Sequence, residues 1–256
     1  MNLIFLVLHL PILFFTFTES IIKKVAGKLF LIPVTLGDND YRRVIPDKVL
    51  EITRNLRVFV AEEIRSARRY LRLIDPGFPI DSSVFLELNE HTGDNEIEHC
   101  LDLALKGSDI GIISEAGLPG IADPGSKLVI LAHKRKIQVV PLSGPSSIIM
   151  ALIASGLNGQ NFAFNGYLPV KPSERASKVK ELEKRAREGF SQIFMETPYR
   201  NRKMLETVLS VCNSETRLCI AVNISHPDES IRTLPVSEWK RAVPDLNNRL
   251  AVFIIQ

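Results

Sequence analysis

Short apolar runs alternate along this chain with segments whose apolar positions recur at helical spacing. Lys28–Pro33 (KLFLIP) is the first such run, bounded by Gly27 and Pro33, and reads as a strand. A polar turn rich in Gly, Asp and Asn follows, from Val34 to Asp40. Pro46 opens a helix to about Arg54, at a position that tolerates proline. Arg57–Ala61 (RVFVA) reads as a buried strand and Glu62–Leu73 as a helix. Phe85–Leu88 is a third strand, and Asp94–Lys106 a helix with Asp94 as its N-cap. Asp109–Ser114 and Ile137–Pro141 are strands on either side of a helix over Ser126–Lys134. This alternation predicts a parallel sheet with helices on both faces.

A small polar break at Ser143–Ser147 separates a second unit. There Ile148–Ser155 reads as an apolar helix closed by Gly156, and Phe162–Phe164 as a strand. Residues 173–188 form a charged helix laced with i, i+4 pairs, which reads as a solvent-facing element. Gln192–Met195, Leu218–Val222 and Leu250–Ile255 are strands, with a helix over Pro198–Val211. The expected organisation is therefore an apolar extension over 1–26, an α/β domain over 27–142 and a second α/β domain over 143–256. The extension (Leu3–Phe17 nearly all apolar, Pro11 in its middle) is short for a membrane span of about 20 residues. It has no basic residue before it and no small-residue cleavage site after it, so a secretory signal is a poor reading. The expectation is a cytoplasmic protein, with membrane association disfavoured.

Composition changes this picture little. The chain has 256 residues, 45% of them hydrophobic and 24% charged, with a net charge of +3. That is ordinary globular composition, and the slight basicity permits nucleic acid as a partner without requiring it. The three cysteines are odd in number and form no CxxC, so neither a disulfide framework nor a thiolate zinc site is expected. The five histidines show no metal-ligand spacing, and His91 and His99 read as helix-surface residues. No metal is expected.

The stretch with chemical promise is Ile112–Gly125 (IISEAGLPGIADPG). An apolar strand enters it, and Ala116-Gly117, Pro119-Gly120 and Pro124-Gly125 force the chain to turn before the next helix. A strand, a glycine-rich loop and a helix at the carboxyl edge of a sheet is where open α/β folds hold ligands; an ordinary βα turn has the same spacing. Glu115 and Asp123 are the loop's carboxylates. Upstream, Arg65, Arg68, Arg69 and Arg72 crowd one helix. A phosphate-binding surface and a solvated face paired with Glu62 and Glu63 are both open there.

That stretch resembles the S-D-A-G-T-P-x-x-x-D-P-G signature of the tetrapyrrole-methylase superfamily. Within it, the chain is most similar to the branch that methylates a ribose 2′-hydroxyl of small-subunit ribosomal RNA. Ala61–Arg65 (AEEIR) resembles that branch's A-E-D-T-R, and Pro141–Ser146 (PLSGPS) its P-L-P-G-P-S/C. Gly166–Pro169 (GYLP) resembles G-F-L-P, and Glu196–Arg200 (ETPYR) resembles E-S-P-H-R. The likeness runs from about Gly27 to Gln256. The resemblance implies two α/β domains with S-adenosyl-L-methionine in the cleft between them, usually in a homodimer. Carried over by position, it implies cofactor contacts at Leu118, Pro119, Ile121, Ser146, Ser147, Met195 and Ala221. Taken alone, Met195 and Ala221 read as buried strand core.

The chain departs from the branch at Glu115 (Asp there), Leu118 (Thr there) and Ala221–His226 (AVNISH for A-R-E-L-T-K). The charges lost at Val222, Asn223 and His226 would fall on the acceptor side, so methyl transfer stands on firmer ground than the ribosomal RNA acceptor. A ribose hydroxyl is a weak nucleophile, and Glu62 and Asp123 are the candidate bases. Glu62 equally suits a helix start, where the dipole favours a carboxylate. Arg65, Lys171, Arg175 and Arg200 are the candidate phosphate contacts. Three functions remain open: an RNA methyltransferase acting on ribosomal RNA or the small subunit, a methyltransferase of a small molecule such as a tetrapyrrole, and a non-catalytic RNA-binding protein of the same fold.

Overall fold

A computed structural model describes residues 25–37, 40–89 and 91–256. The apolar run Leu3–Phe17 lies outside the described residues, as do Asp38 and Asn39 of the polar turn.

The first half of the chain builds a five-stranded sheet. Its elements are β1 (Leu29–Ile32), α1 (Asp47–Asn55), β2 (Val58–Ala61), α2 (Ile64–Ile74), β3 (Val84–Glu87), α3 (Asp94–Cys100), α4 (Asp102–Leu105), β4 (Ile110–Ile113), α5 (Gly125–Lys134) and β5 (Val139–Pro141). The strand order is β3-β2-β4-β1-β5 and every pairing is parallel. A parallel sheet covered on both faces needs continuous apolar strands. Accordingly β2 and β4 are buried at every position. One face packs Phe59 against Phe78 and Phe85, under α1 and α2. The other packs Val60, Ile110 and Ile112 against Leu101, Leu128 and Ala132 of the opposite helices.

Two local expectations change. The helix over 94–106 breaks in two at Leu101, which is fully buried. Its N-cap is Gly93 rather than Asp94, and the Glu96 carboxylate accepts the Gly93 N–H at 2.9 Å. Glycine has no side chain to cap with, so only that half of a capping box exists.

The second half contributes α6 (Ser147–Ser155), β6 (Phe162–Tyr167), α7 (Pro172–Arg187), β7 (Ser191–Glu196), α8 (Asn201–Val211), β8 (Arg217–Val222), β9 (Ser230–Pro235), α9 (Val236–Trp239) and β10 (Ala251–Ile255). The sheet order is β6-β7-β10-β8-β9; β6 and β7 run parallel and the other pairs antiparallel. Phe194 and Phe253 stack at 5.6 Å beneath α7 and α8, and α6 covers the opposite face. Gly144 lies so close to Pro33 that a Cβ there would stand 2.1 Å from the proline ring's Cβ.

Candidate active site

The site begins where β4 ends. Beyond Ile113 the chain enters the glycine-rich loop, and Gly117 adopts φ +70, a conformation that side-chain-bearing residues resist. There the Gly117 carbonyl accepts the Val34 N–H at 2.9 Å, which ties the loop after β4 to the loop after β1. Asp123 holds the far side of the loop. Its Oδ1 accepts the N–H of Gly120 at 2.9 Å and of Gly125 at 2.8 Å, and its Oδ2 accepts Gly120 again at 2.9 Å. Burial pushes this carboxyl above the usual range, although both glycine N–H groups pull it the other way.

Opposite this loop stand the carboxyl end of β7, the ends of β8 and β10, and the first turn of α6. Between the two halves lies a cavity of about 320 Å³, within the roughly 300–1,000 Å³ of small-molecule sites. Its walls are mostly apolar side chains and loop backbone. Its charged lining among the described residues is carboxylate alone: Glu62, Glu115, Asp123 and Glu196, with no Lys, Arg or His. Such a site disfavours a nucleoside phosphate and favours a ligand that carries positive charge.

The positions singled out in the sequence distribute as follows. Leu118, Ile121, Ser146, Ser147, Met195 and Ala221 line the cavity, together with Glu62 and Asp123. Pro119 is buried within its loop and is not part of the lining. Glu62 lies at the end of β2, half-buried. Its neighbour Glu63 is the N-cap of α2, accepting the Arg65 and Ser66 N–H groups at 2.8 and 2.7 Å. These bonds, the one from Arg65 first, hold the Glu63 carboxyl below the usual carboxylate range.

None of the four candidate phosphate contacts lines the cavity. Arg65 lies exposed in the first turn of α2, and Lys171 caps α7 while pairing with Glu174 at 3.1 Å. Arg175 is corrected: it is buried, with its Nε donating to Thr207 Oγ1 at 2.9 Å and a terminal nitrogen to the Val170 carbonyl at 3.0 Å. A guanidinium so enclosed is a structural brace of the second domain, not a hand for phosphate. Arg200 is also engaged. Its Nε and one terminal nitrogen meet Glu196 Oε1 at 2.9 and 2.6 Å.

Sequence reasoning passed over Tyr167, Glu196 and Leu250–Val252 as site residues, although all of them line the cavity. The i, i+4 spacing of Glu196 and Arg200 was the available signal for Glu196. Nothing local marks Leu250–Val252, because topology alone brings β10 beside β7.

Two α/β units thus meet around a carboxylate-lined cavity, with a glycine-rich loop at a parallel sheet's carboxyl edge. Residues 28–240 match the family profile of the tetrapyrrole (corrin/porphyrin) methylases, and the chain belongs to that family. It is 30% identical over 221 residues to "Ribosomal RNA small subunit methyltransferase I" of Vibrio cholerae, covering 86% of this chain and 73% of that protein. The Pseudomonas aeruginosa protein of the same name is 32% identical over 213 residues, covering 83% and 72%. Among solved structures, the methyltransferase CobJ superposes with a TM-score of 0.60 at 18% identity, over 90% of this chain and 94% of that one. At that identity the likeness concerns the fold.

Among the described residues, no group of three or more His, Cys, Asp or Glu side chains is placed to hold a metal, and no helix is long and apolar enough to cross a membrane.

Proposed function

We propose that this chain transfers a methyl group from S-adenosylmethionine to a ribose 2′-hydroxyl of small-subunit ribosomal RNA, in the cytoplasm. The observation that carries the cofactor assignment is the cavity's charge. With Glu196 paired to Arg200, Glu62, Glu115 and Asp123 line a space with no cationic side chain among its described lining residues, which fits a sulfonium and its ammonium better than any phosphorylated nucleotide. The ribosomal acceptor is supported by the name of the relatives that match most of the chain.

When bound, the cofactor supplies a methyl group already activated by positively charged sulfur. The protein's task is then positioning and the exclusion of water. Leu118, Ile121, Met195 and Ala221 offer apolar walls, and Ser146 and Ser147 offer hydroxyls at the first turn of α6. The acceptor hydroxyl must lose its proton. Asp123 already accepts two backbone N–H groups and serves as the strut of its loop. Glu62, half-buried at the end of β2 and lining the cavity, is the candidate general base.

The acceptor's phosphates find cations on α2. Arg65 and Arg69 are exposed one turn apart, and no carboxylate among the described residues lies within ion-pairing distance of either. Lys171 is a further exposed cation, at the start of α7. Arg175 is withdrawn from this set.

The test is transfer of labelled methyl from S-adenosylmethionine to small ribosomal subunits that lack ribose methylation. Label in the ribose of the RNA is the expected result. Label appearing only in a tetrapyrrole offered in parallel would put a small-molecule acceptor in its place, and no transfer to either would favour a non-catalytic RNA-binding role.

A further inference from the structure

Beyond Met195 the cavity wall continues through Glu196, Thr197 and Pro198, and then presents Tyr199 to solvent. This ring is 71% exposed. Tyrosine carries a large apolar face that folded chains usually cover. Here the ring is held outward by a built support. The Arg200 guanidinium carbon lies 5.3 Å from the ring centroid. Arg200 in turn is fixed by Glu196, whose side chain is fully buried. Glu196 Oε1 also accepts the Thr197 N–H at 2.7 Å, while Oε2 is buried without a partner. A carboxylate so placed orients Arg200 and leaves its own second oxygen unsatisfied.

A second tyrosine flanks the same wall. Tyr167 ends β6 beyond a register irregularity, pairs with Met195 across the sheet, lines the cavity and is 55% exposed. Two exposed rings thus border the Met195–Pro198 stretch. On the other side of the cavity, Glu62 leads directly into α2 with its exposed Arg65 and Arg69. Cations for a backbone on one side and aromatic faces on the other match the requirements of a single nucleic-acid strand.

We propose that Tyr199, braced by Arg200 and Glu196, is a stacking shelf for a nucleobase of the acceptor strand, with Tyr167 as its companion nearer the cavity. The inference rests on the RNA reading above. An enclosed methyl donor is most simply reached by the ribose of an unpaired, splayed-out nucleotide, whose uncovered base face stacks on an aromatic side chain. Tyr199 touches the base. Arg200 and Glu196 are positioning residues, since the arginine is spent on the ring and the carboxylate and carries no phosphate.

The experiment measures binding of a short single-stranded RNA containing 2-aminopurine to the full chain and to Tyr199→Ala, Tyr199→Phe, Tyr167→Ala, Arg200→Ala and Arg200→Lys. Salt titrations and calorimetry with S-adenosylhomocysteine run alongside. Tyr199→Ala is expected to weaken RNA binding by about 5- to 150-fold, from ~1–3 kcal/mol per stacked base at ~1.36 kcal/mol per decade. The quenching of 2-aminopurine disappears with it, while the salt slope and cofactor-product binding stay as in the parent. Tyr199→Phe keeps both affinity and quenching, and Tyr167→Ala loses part of each. Arg200→Ala weakens binding through a loosened ring without changing the salt slope, and Arg200→Lys restores part of it. If Arg200→Ala instead lowers the slope by the ~0.7 of one phosphate contact, Arg200 holds phosphate and the brace is wrong. If the parent binds RNA and Tyr199→Ala binds it equally well with equal quenching, the shelf is refuted while the RNA reading stands. If the parent neither binds nor methylates RNA, that reading falls and takes the shelf with it.

Discussion

Asp123 offers the sharpest way to separate a strut from a base. Replacing it with Ala removes the acceptor of the Gly120 and Gly125 N–H groups at 2.9 and 2.8 Å. Hydrogen bonds to a charged acceptor contribute about 1.5–3 kcal/mol each. Burial of the carboxylate offsets part of that, so Asp123→Ala should lose about 2–3 kcal/mol, or roughly 4–12 °C in Tm for a chain of this size. Asp123→Asn is milder. Its remaining oxygen can serve both glycines, but its NH2 then faces the Gly120 N–H across the 2.9 Å now spanned by Oδ2. A loss of about 1 kcal/mol is expected. Because the folded carboxyl titrates above its ordinary value, its contribution to stability is complete below the unfolded value of about 3.9 and lost as pH rises through the folded one. The parent should therefore gain on Asp123→Asn as pH falls from 7 towards 4. Thermal unfolding across that range and calorimetry with S-adenosylhomocysteine measure both effects. An Asp123→Asn protein with parental Tm and product affinity but no methyl transfer would refute the strut and put the carboxylate at the reacting atoms.

Other consequences are simpler to state. Glu183 accepts the Asn213 N–H and the Thr216 hydroxyl and pairs with Arg187, and its carboxyl is held below the usual range despite burial. Its stabilising effect is present above about 4.3, the unfolded value, and lost as pH falls through the lower folded one; Glu183→Gln should flatten that acid limb in urea titrations. Gly144→Ala pushes a methyl group onto Pro33 and should lower stability by about 1–3 kcal/mol, seen as a lower Tm. Removing residues 1–25 should leave a folded chain that binds S-adenosylhomocysteine, since the family match begins at residue 28; loss of binding in calorimetry would make the segment part of the fold. The expected homodimer has a candidate face in α6, where Ile149 and Ile153 are 43% and 75% exposed one turn apart. Light scattering of Ile153→Asp should then show monomers, and an unchanged mass would exclude that face.

The parallel sheet was legible because each of its strands is a compact apolar run between turn residues. The second sheet was harder. β9 (SIRTLP) is an edge strand that mixes Ser230, Arg232 and Thr233 with Ile231 and Leu234, so it carries neither a continuous apolar run nor a strong alternation. β10 also pairs with strands, β7 and β8, that lie far from it in sequence. Arg175 was misplaced for a readable reason: it shares the helical face of Val179, Leu182 and Ala186, the buried stripe of α7. Its position beside the Gly166–Pro169 turn had suggested a rim. The loop Ala116–Asp123 announced itself through glycine and proline. The opposite wall did not, because Tyr167, Glu196 and Leu250 meet only through strand order.

That order bears on how the molecule comes into being. β10 is the last of the described strands to be made, yet it occupies the centre of the second sheet, hydrogen-bonded to β7 on one side and β8 on the other. A chain emerging vectorially from the ribosome can complete its parallel sheet early, while β7 and β8 wait with open edges for residues 251–255. The cavity, whose lining includes Ala251 and Val252, closes only once β10 is in place. A nascent chain or one cut short before Ala251 thus has no assembled active site, and exposes adhesive strand edges that chaperones and proteases recognise.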